Sequence, residues 1–403
     1  MSWRDLANDL AGGSEVLIDR LAVGMMDLGH EVMLLCGGPV AERPYPVVDL
    51  GGTLSQYLRA PFLHHRNARD WDLLVDVENG IPYFSPLWRR KPVLAFVNHV
   101  HTDQWGQRFG PVLSAVGRTA EEVVMPRVYR RVPFLAISAS TAESLVQIGV
   151  DAERISVLNP GVDLPAIGGV ERSTEPLFVC AGRLVPHKRI DLLLRVWERV
   201  RPVVGGRLVV IGDGPELEPL RDLAGDGVEF AGWVDEEEKW RLLGHAWALI
   251  HPSHHEGWGI VIIEAAAVGT PSIGFRVPGV RDAIIDGDTG FLVDSEAELA
   301  KQWIQLAEDG ELRGRLSAAG RIHASKFGWD DVVREFEGIA TAAVASGRTG
   351  TRCPISIPSR RSTASGLPIP AHREVPARTR SAVERSSASV RSSWPWPSCR
   401  PRA

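Results

Sequence analysis

The chain is poor in features that mark whole classes of protein. It has four cysteines in 403 residues, without the paired spacing of a zinc site or the density of a disulfide scaffold. Cys36 and Cys180 end predicted core strands, and Cys353 and Cys399 lie near the C-terminus. Free thiols in a reducing cytoplasm are therefore expected. No apolar run approaches the roughly 20 residues of a membrane span, and no secretory leader pattern is visible. No evident Asp-x-Asp motif stands at a strand end to hold a divalent metal on a diphosphate. Gly212-Asp213-Gly214-Pro215 lacks the third glycine and the later acidic residue of a dinucleotide fingerprint, which argues against NAD. His251, His254 and His255 invite a zinc site, but catalytic zinc needs three convergent ligands and an open position. No metal is expected.

What is present suits a soluble α/β protein. Hydrophobic residues make up 44% and charged residues 24% of the chain, and the length allows two domains with large cores. The formal net charge of -5 hides an uneven distribution. From Gly347 to Ala403 there are eleven Arg, no Lys and two Glu, among Ser and Pro without hydrophobic periodicity. That segment, 347–403, is expected to be disordered. A basic tail can bind anionic lipid or nucleic acid; a solvated tail, or an out-of-frame reading of GC-rich DNA, gives the same composition. No nucleic-acid partner is expected.

Short apolar runs alternate with helical patterns. Glu31–Cys36, Leu73–Asp76, Val93–Val97, Phe134–Ile137 and the run from Ile155 read as parallel strands covered on both faces. Phe178–Ala181, Arg207–Ile211, Val228–Ala231, Ala248–His251, Ser272–Gly274 and Gly290–Val293 restart the pattern. The division predicted is a Rossmann-like domain over 1–160 and a second over 161–327. Ser2–Glu15 reads as the loop after a first strand that is itself absent, so an upstream Val/Ile/Leu-rich strand is expected. Two such domains facing each other would place a cleft at the C-terminal ends of their strands.

The strongest chemical signal is Glu256-Gly257-Trp258-Gly259 followed by an apolar helix that contains Glu264. The two glycines let a ligand approach the backbone. The helix N-terminus offers unpaired N–H groups and partial positive charge to a diphosphate. Glu264, about two turns on, is expected to point back to the pocket and accept hydrogen bonds from hydroxyls. Arg183 and Lys188 flank the loop after Phe178–Ala181, where two cations would hold a diphosphate, Arg as a planar fork and Lys as a point charge. Alone, an E-x7-E spacing arises by chance and a basic pair is often a solvated surface.

Together, and in this order, these elements resemble the retaining glycosyltransferases of family 4, the group 1 transferases, with the GT-B fold of two facing Rossmann-like domains. The resemblance runs from about Ser2 to about Ala345. It implies that Glu256 faces the transferred sugar and Glu264 the nucleotide ribose. Arg183 and Lys188 would stabilise the leaving diphosphate. Gly12-Gly13 resembles the family's glycine-rich loop near donor phosphate and acceptor. His101, with His99 as a neighbouring candidate, would lie near the reacting centre. Gly257, Trp258, Gly259 and Gly279 would line the donor site, and 328–346 would be a helix crossing back to the first domain. The implied donor is a UDP-, GDP- or ADP-sugar, with no metal cofactor, and the acceptor a sugar, glycolipid or small molecule. The basic, apolar stretch Trp105–Arg131 adds the expectation of peripheral contact with the inner face of a membrane; a helix packed on its own core is the plainer reading. A GT-B sugar-nucleotide epimerase and a non-catalytic nucleotide-sugar-binding scaffold are the alternatives.

Overall fold

The computed structural model describes residues 1–349 apart from 9–10, 53–54, 79, 102–104, 106–109 and 164–170. Cys353, Cys399 and nearly all of the Arg-rich segment lie outside the described residues.

The first half of the chain forms β1 (Ser2–Arg4), β2 (Leu34–Gly37), β3 (Val47–Asp49), β4 (Leu74–Glu78), β5 (Val93–Val97), β6 (Phe134–Ala136) and β7 (Ile155–Val157). The second forms β8 (Leu177–Ala181), β9 (Arg207–Ile211), β10 (Val228–Gly232), β11 (Ala248–His251), β12 (Ser272–Phe275) and β13 (Gly290–Val293). Every named pair is parallel. The second sheet runs β10-β9-β8-β11-β12-β13. In the first half, β3-β2-β1 abuts β4-β5-β6-β7, joined where the Val77 N–H donates to the Met1 carbonyl at 2.9 Å. Strand order thus reverses beside β1 in one sheet and beside β8 in the other. Such switch points leave a crevice at the strands' C-terminal ends.

β1 differs from the sequence reading, which placed a loop over Ser2–Arg4 after an absent strand. Ser-Trp-Arg has no branched apolar run to signal a strand. Its pairing comes instead from the backbone, with Ser2 opposite Cys36 and Arg4 opposite Gly37. Two further elements carry no sequence signal. β3 is three residues long, and helix Ser55–Ala68 contains Pro61 and buries Gln56 and His64 while exposing Leu58 and Phe62.

The second half has the more regular core. Helix Ile190–Val204 buries Leu193, Leu194, Trp197 and Val200, an i, i+3, i+4 stripe facing the sheet. Trp197 stacks on Trp303 with ring centroids 5.3 Å apart, and Phe178 meets both rings edge-on.

The chain passes between halves twice, at adjacent places: the Val162 N–H donates to the Phe327 carbonyl at 2.8 Å. Helix Trp329–Thr349 then packs on the first half. Gly24, on helix Gly13–Asp27, lies so close that a Cβ there would sit 2.4 Å from Val333 Cγ2. Phe336 lies 6.5 Å from Phe96 of β5 between ring centroids. Phe336→Ala is expected to cost about 3–5 kcal/mol in denaturant unfolding, as for a large core aromatic; a loss under about 1 kcal/mol would show that this packing contributes little.

Candidate functional site

The two loops at the switch point of the second sheet follow β8 and β11, and between them they form an ion pair. Lys188 closes the 3-10 turn Pro186–Lys188. Glu256 lies in the loop after β11. The loops are tied by the His254 N–H donating to the His187 carbonyl at 2.8 Å. The Lys188 ammonium pairs directly with Glu256 Oε1, and His251 Nε2 meets the same oxygen at 2.8 Å. Side-chain exposures are 17% for Lys188, 13% for Glu256 and 2% for His251. Burial alone would push the Glu256 carboxyl up, but Lys188 and then His251 hold it well below the ordinary glutamate value.

Glycines bring main chain up to this pair. Gly182, at φ +152, runs alongside the Lys188 side chain, whose Nζ would be 3.6 Å from a Cβ there. Gly279 has φ +79, and its Cβ would sit 2.3 Å from the Glu256 carbonyl oxygen, so only glycine fits. Gly259, at φ 88, caps helix Ile260–Ala267, so the backbone N–H groups of its first turn open beside the Glu256 loop.

Three further sequence-derived residues lie around this pair. Trp258, expected to line the donor site, is 4% exposed and its ring packs edge-on against Phe327. Glu264 engages Lys239 Nζ at 2.8 Å, and Lys239 also binds Glu236 at 2.9 Å. Burial disfavours the charged Lys239, yet these carboxylates hold its pKa above the ordinary lysine value. Arg183 is exposed at the rim of the loop after β8, unlike Lys188.

The first half meets this site from across the cleft. A Cβ on Gly13 would be 3.2 Å from Ile260 Cδ1, so Gly12-Gly13, at the start of helix Gly13–Asp27, faces the start of helix Ile260–Ala267. A Cβ on Gly257 would be 3.0 Å from the Asn98 carbonyl oxygen. His99 lies 3.8 Å from His101 and 5.4 Å from His255 between ring centroids. Beside them Asp282 accepts from the Ser140 N–H at 3.0 Å, and Arg281 binds Ser140 Oγ and Glu143. His101 is 7% exposed, with Nδ1 3.1 Å from Glu121 Oε1. The Asn98 side-chain amide is buried, and neither its N nor its O has a hydrogen-bond partner among the described residues.

Sequence reasoning passed over Lys239 and Glu121 and weighed His251 only as a zinc ligand. The signal for His251 was its position, the last residue of β11 and five before Glu256. Among the described residues no cluster of His, Cys, Asp and Glu is arranged to hold a metal, and no helix is long and apolar enough to cross a membrane.

The depressed Glu256 pKa fixes the sign of a pH effect. The stability it contributes is fully present above the unfolded glutamate value of about 4.3 and is lost as pH falls below that. Thermal unfolding is expected to show Glu256→Gln least stable relative to wild type at neutral pH, with the two converging in acid. A difference that stays constant from pH 7 to about pH 3 would contradict the pairing.

Both halves of the chain resemble known proteins. Residues 168–323 match the model of "Glycosyl transferases group 1", and residues 11–165 match that of "Glycosyltransferase Family 4". A D-inositol 3-phosphate glycosyltransferase of Streptomyces scabiei is 34% identical over 241 residues, covering 52% of this chain and 54% of the relative. The namesake of Xylanimonas cellulosilytica is 35% identical over 230 residues, covering 49% and 54%. The chain thus spans about half the length of the curated relatives it matches. Sucrose-phosphate synthase from Thermosynechococcus elongatus superposes with a TM-score of 0.70 at 18% identity over 85% of this chain and 97% of its own. Anabaena HepE, solved with UDP-glucose, gives 0.67 at 17% identity over 84% and 98%. The fold is GT-B, two parallel-sheet α/β domains facing across a cleft. With adjacent matches across both halves, the chain belongs to the group 1, family 4 glycosyltransferases.

Proposed function

We propose that the protein transfers a sugar from a nucleoside-diphosphate sugar to a hydroxyl acceptor with retention of anomeric configuration and without a metal. The carrying observation is the largely shielded Lys188–Glu256 pair at the switch point of the second sheet. It sets a cation and a carboxylate where a diphosphate and its sugar would meet. On this reading residues 161–327 are the donor domain, 1–160 the acceptor-side domain and 328–346 the helix crossing back.

The chemistry follows from charge. Breaking the anomeric C–O bond leaves an oxocarbenium-like sugar and an anionic diphosphate. Lys188, Arg183 and the backbone amides at Gly257 and Gly259 stabilise the leaving group, and Gly279 contributes a further amide. Glu256, ionised through its neighbours, faces the developing positive charge on the sugar. Glu264 takes the ribose hydroxyls. The acceptor oxygen bonds to the anomeric carbon on the face the phosphate leaves, and its proton passes to the departing phosphate. Gly12-Gly13 and His101 close the site from the acceptor side, and the buried, unpaired Asn98 amide suits a substrate hydroxyl. UDP-glucose is the first donor to test, and D-inositol 3-phosphate, which names the curated relatives, the first acceptor.

Nucleotide release from UDP-glucose, with and without that acceptor, tests the reading. Lys188→Ala is expected to lower the rate by about 10²–10³, the usual loss for a preorganised charge donor, while EDTA leaves it unchanged. Epimerised sugar nucleotide formed without any acceptor would support the epimerase alternative. Binding without turnover, insensitive to Glu256→Gln, would support the scaffold.

One surface supports peripheral membrane contact at the cytoplasmic face. Helix Pro111–Arg118 exposes Val112 by 74%, Leu113 by 62% and Val116 by 58%, beside Arg118. Co-sedimentation is expected with phosphatidylglycerol vesicles, weakened by Leu113→Asp; equal recovery with and without vesicles would dismiss the contact.

A further inference from the structure

We propose that Glu121 is the positioning residue for His101, holding its ring orientation and fixing its proton on Nδ1. The inference rests on the reading that His101 faces the reacting centre. Glu121 engages three nitrogens with two oxygens. Oε1 accepts from the His101 main-chain N–H at 2.9 Å and lies 3.1 Å from His101 Nδ1. Oε2 accepts from Trp105 Nε1 at 2.8 Å. The residues are 3%, 7% and 7% exposed, so the bonds are shielded from water. An ionised carboxylate has only acceptor sites and takes all three N–H groups, whereas a carboxylic acid would place its own proton among them. The Nδ1 contact then requires a proton on Nδ1, and the neutral ring carries its lone pair on Nε2.

The local backbone serves this contact. Glu121 lies in a π-helical segment, Thr119–Val124, between the α-helical turns Pro111–Arg118 and Met125–Val128. A π turn widens a helix by one residue and shifts where its side chains point. Here a charged side chain at the centre of the segment is turned inward. The Trp105 indole is seated by the same helix: a Cβ on Gly117 would be 2.4 Å from it, and Ser114 Oγ donates to its carbonyl at 2.8 Å.

Other charged and titratable groups bear on the pair. The ring of His99 lies against His101, and the Glu78 carboxyl is pushed well up by burial, then by Asp76 and by Glu121. Burial pushes the Glu121 carboxyl up to about 7, opposed by hydrogen bonds from Trp105 and His101. Orientation and tautomer are thus maintained best above neutral pH.

Histidine side-chain ¹⁵N NMR on the whole protein reads the tautomer without any ligand. At pH 8 the wild type is expected to show His101, assigned by loss of its signals in His101→Ala, protonated on Nδ1. Glu121→Leu is expected to shift it toward the Nε2-protonated form, and Glu121→Gln, whose amide oxygen still accepts a hydrogen bond, to retain part of the Nδ1 population. An Nε2-protonated His101 in the wild type, or an unchanged tautomer in a folded Glu121→Leu, would overturn the proposal. Kinetics with UDP-glucose separate the two layers. Loss of activity in His101→Ala, with about a 10- to 100-fold lower kcat and little change in donor KM in Glu121→Leu, supports both. Loss in His101→Ala with wild-type rates in Glu121→Leu overturns only the positioning role. Full activity in His101→Ala removes His101 from the proposed function, and the positioning role with it.

Discussion

Lys188 and Glu256 are 68 residues apart in sequence, and their pairing fixes the loops after β8 and β11 against each other. Two charges with so little exposure hold together only because each offsets the other's burial. Removing one partner would leave the other uncompensated, typically a loss of 3–5 kcal/mol. His251 adds a hydrogen bond from beneath, and Gly279 closes over the Glu256 carbonyl. The carboxylate is thereby ionised and oriented before any ligand arrives. Preorganisation of this kind lets fixed charge stabilise a transition state without reorganisation during the reaction.

The same loop joins the halves of the molecule. Gly257 rests against Asn98, and Gly13 against the helix that begins at Ile260, so small residues let the two strand-end surfaces approach. Asp282 and Arg281 add polar ties to the start of helix Ala139–Gln147. On the other side, helix Trp329–Thr349 packs on the first half and anchors the crossover at Val162 and Phe327. The cleft is held at the Glu256 loop and at the crossover between Val162 and Phe327.

Much of this was legible in the sequence where composition and geometry agree. Val93–Val97, Arg207–Ile211, Ala248–His251 and Gly290–Val293 are compact runs of strand-forming residues, and the structure returns them with the same limits. Glu256 and Lys188 stood out by residue type and spacing, and the structure brings them into one ion pair. What was missed has physical reasons. Ser2–Arg4 is a strand through its neighbours' backbone groups, not its own side chains. Ser55–Ala68 inverts the usual pattern, with Gln56 and His64 inside and Leu58 and Phe62 outside, so hydrophobic periodicity gives no signal. Glu121 points inward from a π turn, where helical spacing predicts a different direction.

The central claim is that Lys188, at the switch point, receives the nucleoside diphosphate. Thermal unfolding with saturating UDP, GDP and ADP, in wild type and in Lys188→Ala, tests it most directly. Ligand at about 100 times its dissociation constant should add roughly 2.7 kcal/mol. The account predicts a clear stabilisation of the wild type by one of the three nucleotides, lost or strongly reduced in Lys188→Ala. Stabilisation by none of them in the folded wild type, or an undiminished effect in the variant, would contradict it.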